Sequence, residues 1–597
     1  PLALLGGDLR ASIVALFALA PAIAVVSAWC AAGTATRAPL VRAAVSLAYG
    51  LWPLFLASVA DVRLGAVIAH LALPWAAWGL AYATGWRKGE ILGDGSEYPP
   101  SRRPSANAGL LAAVALAVAT VAAPILLLPS LVILAAVGAR AGDVRWRVWT
   151  IGLLPLVVGL PGLVGAARNP RDAVSVLARE PGPSAPFEPL SWHQLLAGSD
   201  GAWRWPELFQ PAALAAYAPG AITLVAAIVA LVAGWRSRAV LASLAVGAVG
   251  LLLAVVSQSV VAAWPDGAGG VGAVGWPGAG SSLAALGLLG AVALAYGLLP
   301  AIKEAGVKAR ATVARAGAIV GAAVFLAAAA LLAWPGAVKG LGTMASADVL
   351  PLAIPLEQTG PDRARTLVLT SAEDGQVSYA VLATDGTEHA TGRAFADAHG
   401  TPLARPGYDG ATAADLAQAV AELAAGGLSD TDVLAAWGIG TVVAGPGEDR
   451  IKAALDSNTA LALVGGSERG TTYRVDRPLS DEPVSRAWIE SPHGVIVVPS
   501  GYASGELRLP RDAGGLLVIA VPRDGSWRAS LDGEPLFETE DDLGRQAFAV
   551  PTGGGVLAYG YRDTMHSVWW WAAAAATAWA LLGAIPLGER GVRERES

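Results

Sequence analysis

Runs of about twenty apolar residues recur along this chain, and they limit it more than any other feature. A stretch of that length, wound as a helix, spans the hydrocarbon of a bilayer. Inside lipid, only helices and closed barrels satisfy the backbone's hydrogen-bonding groups. The runs fall at roughly 11–32, 43–60, 63–85, 107–124, 125–139, 148–167, 212–234, 239–262, 282–302, 316–335 and 567–587. They predict a polytopic α-helical membrane protein of about eleven transmembrane helices. The pair 107–139 carries Pro124 and Pro129 and is expected to be broken or re-entrant. Only 15% of the 597 residues are charged, against about 25% in soluble chains. The deficit sits in the apolar runs, whereas 342–566 has ordinary polarity. A membrane part and an extramembrane domain follow.

Charge sets the orientation, because loops on the cytoplasmic side are enriched in Lys and Arg. With the N-terminus outside, the inner loops hold Arg37, Arg42, Arg87, Lys88, Arg102, Arg103, Arg140, Arg145, Arg147, Arg236, Arg238, Lys303, Lys308, Arg310 and Arg315, and the tail holds Arg590, Arg593 and Arg595. The short outer loops hold Arg63, Arg168, Arg171, Arg179, Arg204 and Lys339. The bias is about threefold. It puts the 342–566 domain outside the cytoplasm and the C-terminus inside.

The expected division is therefore a multi-pass region over 1–341, an extracytoplasmic α/β part over 342–480, an extracytoplasmic β-sandwich over 481–566, and a last helix with its tail over 567–597. In the α/β part, 365–371 and 377–383 read as strands, 411–427 as an amphipathic helix, 431–445 as a short helix and then a buried strand, 449–457 as a helix and 471–476 as a strand. In the sandwich, 494–500, 505–510, 515–521, 526–533 and 555–561 read as strands between Gly, Pro and Asp turns, and Asp532-Gly533 marks a tight hairpin.

Chemistry is sparse in the sequence. Hydrolase-elbow, phosphate-loop and zinc-protease motifs are missing, and Cys30 is the sole cysteine, so neither an internal disulfide nor a thiolate metal site can form. Net charge is −6 without a basic tract, which argues against nucleic acid as a partner. Gly270 to Gly275 fits GxGxxG, yet it lies in a loop rather than after a strand; a flexible loop is the better reading. Glu538, Glu540, Asp541 and Asp542 read as a solvated acidic loop, and Trp527 as sandwich core. A transporter would need inverted repeats and buried charges, which are scarce.

Two places remain. Asp61, Arg63 and His70 lie where one helix ends and the next begins. Ionisable groups near membrane depth are functional candidates, although an interfacial Asp and Arg and a core His are the better reading. The 168–211 segment mixes Trp192, Trp203 and Trp205 with Glu180, Glu188, His193, Asp200 and Glu207. Indole faces stack on sugars, and carboxylates or imidazole act as bases; an interfacial aromatic belt is the competing reading. Asp61, His193 and Asp200 are the candidates for a catalytic group here. Arg63, His70, Trp192, Trp203 and Trp205 are the candidates for substrate contact.

The 40–80 stretch, with Tyr49, Pro53 and Leu73-Pro74-Trp75, resembles the early helices of GT-C type membrane glycosyltransferases. The passage from WGIGTVVAG through GTTYRV and the GSWRASLDG hairpin resembles the exported domain of large actinobacterial envelope proteins. Some of those are fusions with a cytosolic family-2 glycosyltransferase domain, and others are like cell-wall arabinofuranosyltransferases. The resemblance implies a GT-C-like fold that transfers a sugar from a polyprenyl-phosphate donor to a cell-wall glycan acceptor outside the plasma membrane. It implies membrane lipid as surroundings, an upstream cytosolic glycosyltransferase domain of the same chain as a partner, and room for a divalent metal, although the sequence identifies no cofactor. The family's base, an Asp or Glu in the first outer loop, would fall upstream of Pro1; Asp8 is the carboxylate nearest that place. A non-catalytic scaffold or lipid-linked-sugar handling module of an envelope assembly complex is the alternative.

Overall fold

The computed structural model describes residues 9–86, 90–91, 97–98, 104–168, 170–171, 173–180, 189–199, 217–263, 273–296, 364–371, 376–382, 388–395, 411–426, 431–467, 470–476, 484–501, 503–523, 525–562 and 564–585. They fall into two compact units, one helical and one built on sheets, with the chain returning to the first unit at Trp570.

The helical unit begins with α1 (Leu9–Ala35), α2 (Pro39–Gly50), α3 (Pro53–Ala60) and α4 (Leu64–Ala83). Pro39 and Pro53 each open their helix at the first turn, where a missing N–H costs nothing and φ is already helical. After the short strands β1 (Glu90–Ile91) and β2 (Glu97–Tyr98) come α5 (Ala106–Ala122) and α6 (Leu127–Arg140). The chain breaks between them at the 3₁₀ turn Pro124–Leu126, as expected for Pro124. Then follow α7 (Arg145–Ile151), α8 (Leu153–Val158), α9 (Leu160–Arg168), α10 (Ala173–Ala178), α11 (Trp192–Ala197), α12 (Ala218–Gly234) and α13 (Arg238–Ser259). A hairpin of β3 (Val261–Ala263) and β4 (Ala273–Val274) leads into α14 (Gly278–Tyr296).

Among the described residues five helices are long and apolar enough to cross a membrane: Ser12–Ala35, Pro39–Ala60, Leu64–Ala83, Arg238–Ser259 and Gly278–Tyr296. The 148–167 run is instead part of a pair bent by 67° at Gly159. Ala106–Ala122, Pro124–Arg140 and Ala218–Gly234 are apolar but shorter. The last helix, Thr564–Ala584, is long enough, but Trp569, Trp570, Trp571 and Trp579 lower its hydropathy. The 316–335 run lies outside the described residues. Leu19, Val26, Val232 and Leu252 are more than half exposed, an apolar surface that suits lipid and not water.

Close packing needs small residues, since lipid gives helices no hydrophobic reason to associate. A Cβ on Gly250 would stand 2.3 Å from Ala284 N and one on Gly287 2.2 Å from Gly247 N, so α13 and α14 touch backbone to backbone. Around α14, the first four helices bury Phe17, Tyr49, Trp52 and Phe55.

In the second unit, a six-stranded sheet has the order β7-β6-β5-β8-β10-β9. Its strands are β5 (Arg365–Ser371), β6 (Gln376–Leu382), β7 (Glu388–Phe395), β8 (Ile439–Ala444), β9 (Leu461–Ser467) and β10 (Gly470–Val475). β5 and β8 are parallel, and helices Ala411–Ala424 and Asp449–Asp456 contribute Leu416, Val420, Ile451 and Leu455 to the core over this sheet. The sandwich pairs a five-stranded sheet, β12-β11-β14-β18-β17, with a four-stranded one, β13-β19-β15-β16. These strands are β11 (Ala487–Ser491), β12 (Gly494–Val497), β13 (Ser504–Leu509), β14 (Gly515–Pro522), β15 (Trp527–Leu531), β16 (Glu534–Pro535), β17 (Glu538–Thr539), β18 (Arg545–Val550) and β19 (Gly555–Tyr561). Asp532 and Gly533 take φ of 50° and 87° in the β15–β16 hairpin, the left-handed pair a two-residue turn requires.

The acidic loop is not simply solvated. Asp541 is buried and takes Arg545 Nε and Nη2 at 2.7 and 2.8 Å, while Glu538 and Glu540 pair with Arg523. Trp527 is in the sandwich core, as expected.

Candidate functional site

The turn between α3 and α4 carries the most unusual backbone in the helical unit. α3 ends with Asp61 as its capping residue, and Val62 follows at φ 55°. Val62 N–H donates to Val59 O at 3.3 Å and Arg63 N–H to Ser58 O at 2.8 Å. This is the double bond pattern of a Schellman cap, whose left-handed position normally holds glycine. A β-branched residue there is strained by about 1–2 kcal/mol, and such strain collects at functional sites.

Arg63 is 8% exposed at the start of α4. Its guanidinium lies 4.8 Å from the centroid of the Trp276 ring, within range of a cation–π contact. Trp276 Nε1 donates to Ser58 Oγ at 2.8 Å. The indole is delivered by the β3–β4 hairpin, where Gly275 N–H donates to Val260 O at 3.1 Å. Gly278 lets α14 begin beneath the ring, since a Cβ there would stand 2.4 Å from Trp276 Nε1 and 2.9 Å from Ala66 Cβ.

Glu180 reaches the same place from the end of α10. Arg179 Nε donates to Ala262 O at 2.8 Å and ties this segment to β3. The half-buried Glu180 carboxyl accepts from Ala66 N–H in the first turn of α4 and faces Arg63. Burial pushes Glu180 up to about 8, against the opposing pull of Arg63 and the Ala66 amide. Burial likewise lowers Arg63 from its ordinary value, with Glu180 and then Asp61 opposing. Asp61 itself is exposed. One end of the bundle thus gathers an exposed carboxylate, a buried guanidinium under an indole, and a carboxyl that keeps its proton at neutral pH.

His70 is placed differently. Its ring is sandwiched between Tyr49 and Phe55 at 4.0 and 3.9 Å. Nε2 donates to Tyr49 O at 3.0 Å, Nδ1 lies 2.8 Å from Ser282 Oγ, and Tyr49 OH donates to His70 O at 2.8 Å. With both faces covered and both nitrogens used, the ring is a fastening between α2, α4 and α14 and presents nothing to a substrate.

His193 and Trp192 are exposed on α11. His193 Nε2 lies 3.1 Å from Ser191 Oγ, and its ring is 5.7 Å from that of Tyr217. α11 is held by Gln258, which bonds the Leu190 N–H and O at 3.0 and 2.7 Å, and by Leu54 N–H on Gly198 O at 2.7 Å. Asp200, Trp203 and Trp205 lie outside the described residues, as do Asp8, Glu188 and Glu207. The sequence groups Glu180 with other loop carboxylates and gives no reason to single it out, nor any to single out Trp276, just after Gly270 to Gly275. Within those six residues Ala273 and Val274 are not a loop but form β4. Among the described residues no group of three or more His, Cys, Asp or Glu side chains could hold a metal ion.

No protein-family model matches this chain, and no curated protein matches it in sequence. Among solved structures it is similar to that of arabinofuranosyltransferase AftD from mycobacteria, at a TM-score of 0.46 and 14% identity over 94% of this chain and 52% of that one. A mutant form of the same enzyme gives a TM-score of 0.43 at 14% identity, over 94% and 54% of the two chains. The chain therefore spans about half the length of the enzyme it matches. A likeness this loose assigns no residue, and the side chains must carry the functional reading.

Proposed function

We propose that this chain is a membrane glycosyltransferase, or the membrane half of one, that moves a sugar from a polyprenyl-phosphate donor to a cell-envelope polysaccharide at the outer face. The observation that carries the reading is an arrangement at one end of the helical bundle, where the Glu180 carboxyl accepts from Ala66 N–H and faces the buried Arg63 guanidinium under Trp276. The charge pattern of the loops supports an outer position for that end.

A sugar transfer from a lipid phosphate needs a group that takes the acceptor's hydroxyl proton and a cation that steadies the departing phosphate. A carboxyl whose pKa lies near the working pH exchanges protons readily in both directions. While protonated, Glu180 does not compete with a phosphate for the charge of Arg63. The exposure of Asp61 on the same turn supports a contact with the acceptor, and that of Trp192, 74% exposed, supports stacking of its indole on a sugar ring. The resemblance of the 40–80 stretch to GT-C enzymes supports the same reading.

The test uses the complete gene product in membranes with labelled polyprenyl-phosphate sugars and a cell-wall glycan. Glu180→Gln and Asp61→Asn are compared with His193→Ala. Loss of a proton-transfer group lowers kcat by about 10²–10⁴. Such a loss in Glu180→Gln or Asp61→Asn supports a role for this turn in the chemistry. Full activity in both removes the base from the turn. No transfer from any donor, with the chain folded and inserted, leaves the scaffold reading.

A further inference from the structure

The second unit holds a buried cation whose surroundings do not neutralise it. Arg365, the first residue of β5, is 4% exposed. Its Nη1 donates to Trp437 O at 3.2 Å and to Ala520 O. Its Nε and Nη2 are buried without a hydrogen-bond partner. Among the described residues the groups that bear on its charge are Arg486 and Tyr559, and no carboxylate is among them.

The backbone explains why these groups meet. Arg365 N–H donates to Gly438 O at 2.7 Å, and Ala520 N–H to Arg486 O at 3.0 Å. Gly438 has φ 66°, and a Cβ on it would stand 3.5 Å from Arg486 Cα. The six-stranded sheet and the sandwich are therefore pressed together where the two arginines start. Arg486, 8% exposed, donates from Nη1 to Gly501 O at 3.1 Å. The neighbouring Ser500 Oγ is 2.7 Å from Tyr559 OH. Two guanidiniums and two hydroxyls thus gather at one seam.

Carbonyl contacts alone make Arg365 a plausible fastener between the sheets. They do not account for the other two donor nitrogens. A buried polar group left unbonded is costly, and a buried charge more so. The neighbouring Asp541–Arg545 pair shows what a compensated arginine looks like in this unit: a bidentate carboxylate on Nε and Nη2, with Nη1 on Ala436 O at 3.0 Å. Arg365 has the carbonyl half of that arrangement and lacks the acid.

We propose that Arg365 Nε and Nη2, beside Arg486 at the seam between the six-stranded sheet and the sandwich, bind a small oxyanion presented as a phosphate or a carboxylate. The planar guanidinium fork fits two oxygens of such a group and does not fit a monatomic anion as well. Burial, and then the like charge of Arg486, pull Arg365 down to about 9, which a bound anion would reverse. Entry through a seam rather than an open mouth requires local opening, so exchange of the anion is slow.

The experiment is amide hydrogen exchange on the full chain in lipid nanodiscs, with inorganic phosphate, acetate or chloride at one ionic strength. Phosphate or acetate is expected to slow exchange at Arg365–Leu367, at 436–439, at 485–487 and at 518–520 by about threefold over chloride, as a ligand of the folded state does. Phosphate acting alone assigns a phosphoryl ligand, and acetate acting alone a carboxylate. Arg365→Met is expected to abolish the effect, and Arg365→Lys, which keeps the charge but loses the fork, to remove most of it. Equal exchange in all three anions overturns the proposal in the wild-type chain alone, whether or not either variant folds. So does protection that persists unchanged in Arg365→Lys.

Discussion

Replacing Glu180 with Gln should make the α3–α4 turn more stable at neutral pH. Gln copies the protonated carboxyl in shape and does not titrate. Glu180 moves from 4.5 in the unfolded chain to about 8 in the folded one. Below pH 4.5 both states hold the proton, and the wild type loses nothing. Between 4.5 and 8 unfolding releases a proton, so stability falls as pH rises, by up to about 1.4 kcal/mol per pH unit. Above 8 both states are ionised and the loss is complete. At pH 7 the full shift would amount to about 3 kcal/mol, and the water that reaches a half-buried carboxyl trims this to about 2 kcal/mol. Hydrogen exchange of the Asp61–Ala66 amides, read from pH 5 to 8 and corrected for the intrinsic rate, measures the difference. Glu180→Gln should match the wild type at the acid end and exceed it progressively toward pH 8. Infrared titration of the protonated carboxyl band, assigned by its loss in the variant, reads the pKa directly. Parallel exchange profiles, or a band that disappears near the ordinary carboxyl range, would refute both the burial argument and the role given to this residue.

Three other expectations test the surrounding framework. Val62→Gly relieves a left-handed β-branched residue worth about 1–2 kcal/mol and adds about 0.5–1 kcal/mol of chain entropy, so the same amides should be protected slightly more; a loss of protection would show that the Val62 side chain matters more than its strain. Gly278→Ala drives a Cβ into Trp276 Nε1. It should cost about 1–3 kcal/mol and lower the thermal midpoint, while changing the near-ultraviolet dichroism of the displaced indole. Asp541→Asn leaves the Arg545 guanidinium buried without its carboxylate and should cost about 3–5 kcal/mol, seen as early exchange at β14 and β18 with the helical unit unaffected.

What could be read from the sequence follows the range of the forces involved. The helices were legible because lipid demands a long apolar run, a property of consecutive residues. The strands β5, β6, β8 and β10 were legible for a similar reason: each is a short run rich in β-branched or aromatic residues. β7 and β9 were missed because they are the two edges of their sheet. In β9 every residue after Leu461 is exposed, so burial leaves no alternation to detect. β18 was missed although it is buried, since its first residues, Arg545 and Gln546, read as loop. Arg545 can lie in that strand only because Asp541 neutralises it.

The candidate site was less legible, and the reason is physical. The DVR turn was visible as ionisable residues between two apolar runs, and Asp61 and Arg63 do lie together there. Glu180 acquires its character from burial, Arg63 and Ala66, and neither residue is near it in the chain. A carboxylate among the prolines of a long loop has no pKa signature of its own; the shift comes from what folds over it. His70 goes the opposite way. On an apolar helix it could contact a substrate or simply bond a neighbour, and its contacts with Tyr49, Phe55 and Ser282 favour the second reading. In a helical bundle an ionisable residue is therefore better judged by whether its polar atoms are used up by neighbours than by its depth. By that measure Glu180, still holding an exchangeable proton, is the residue to follow, and His70 is not.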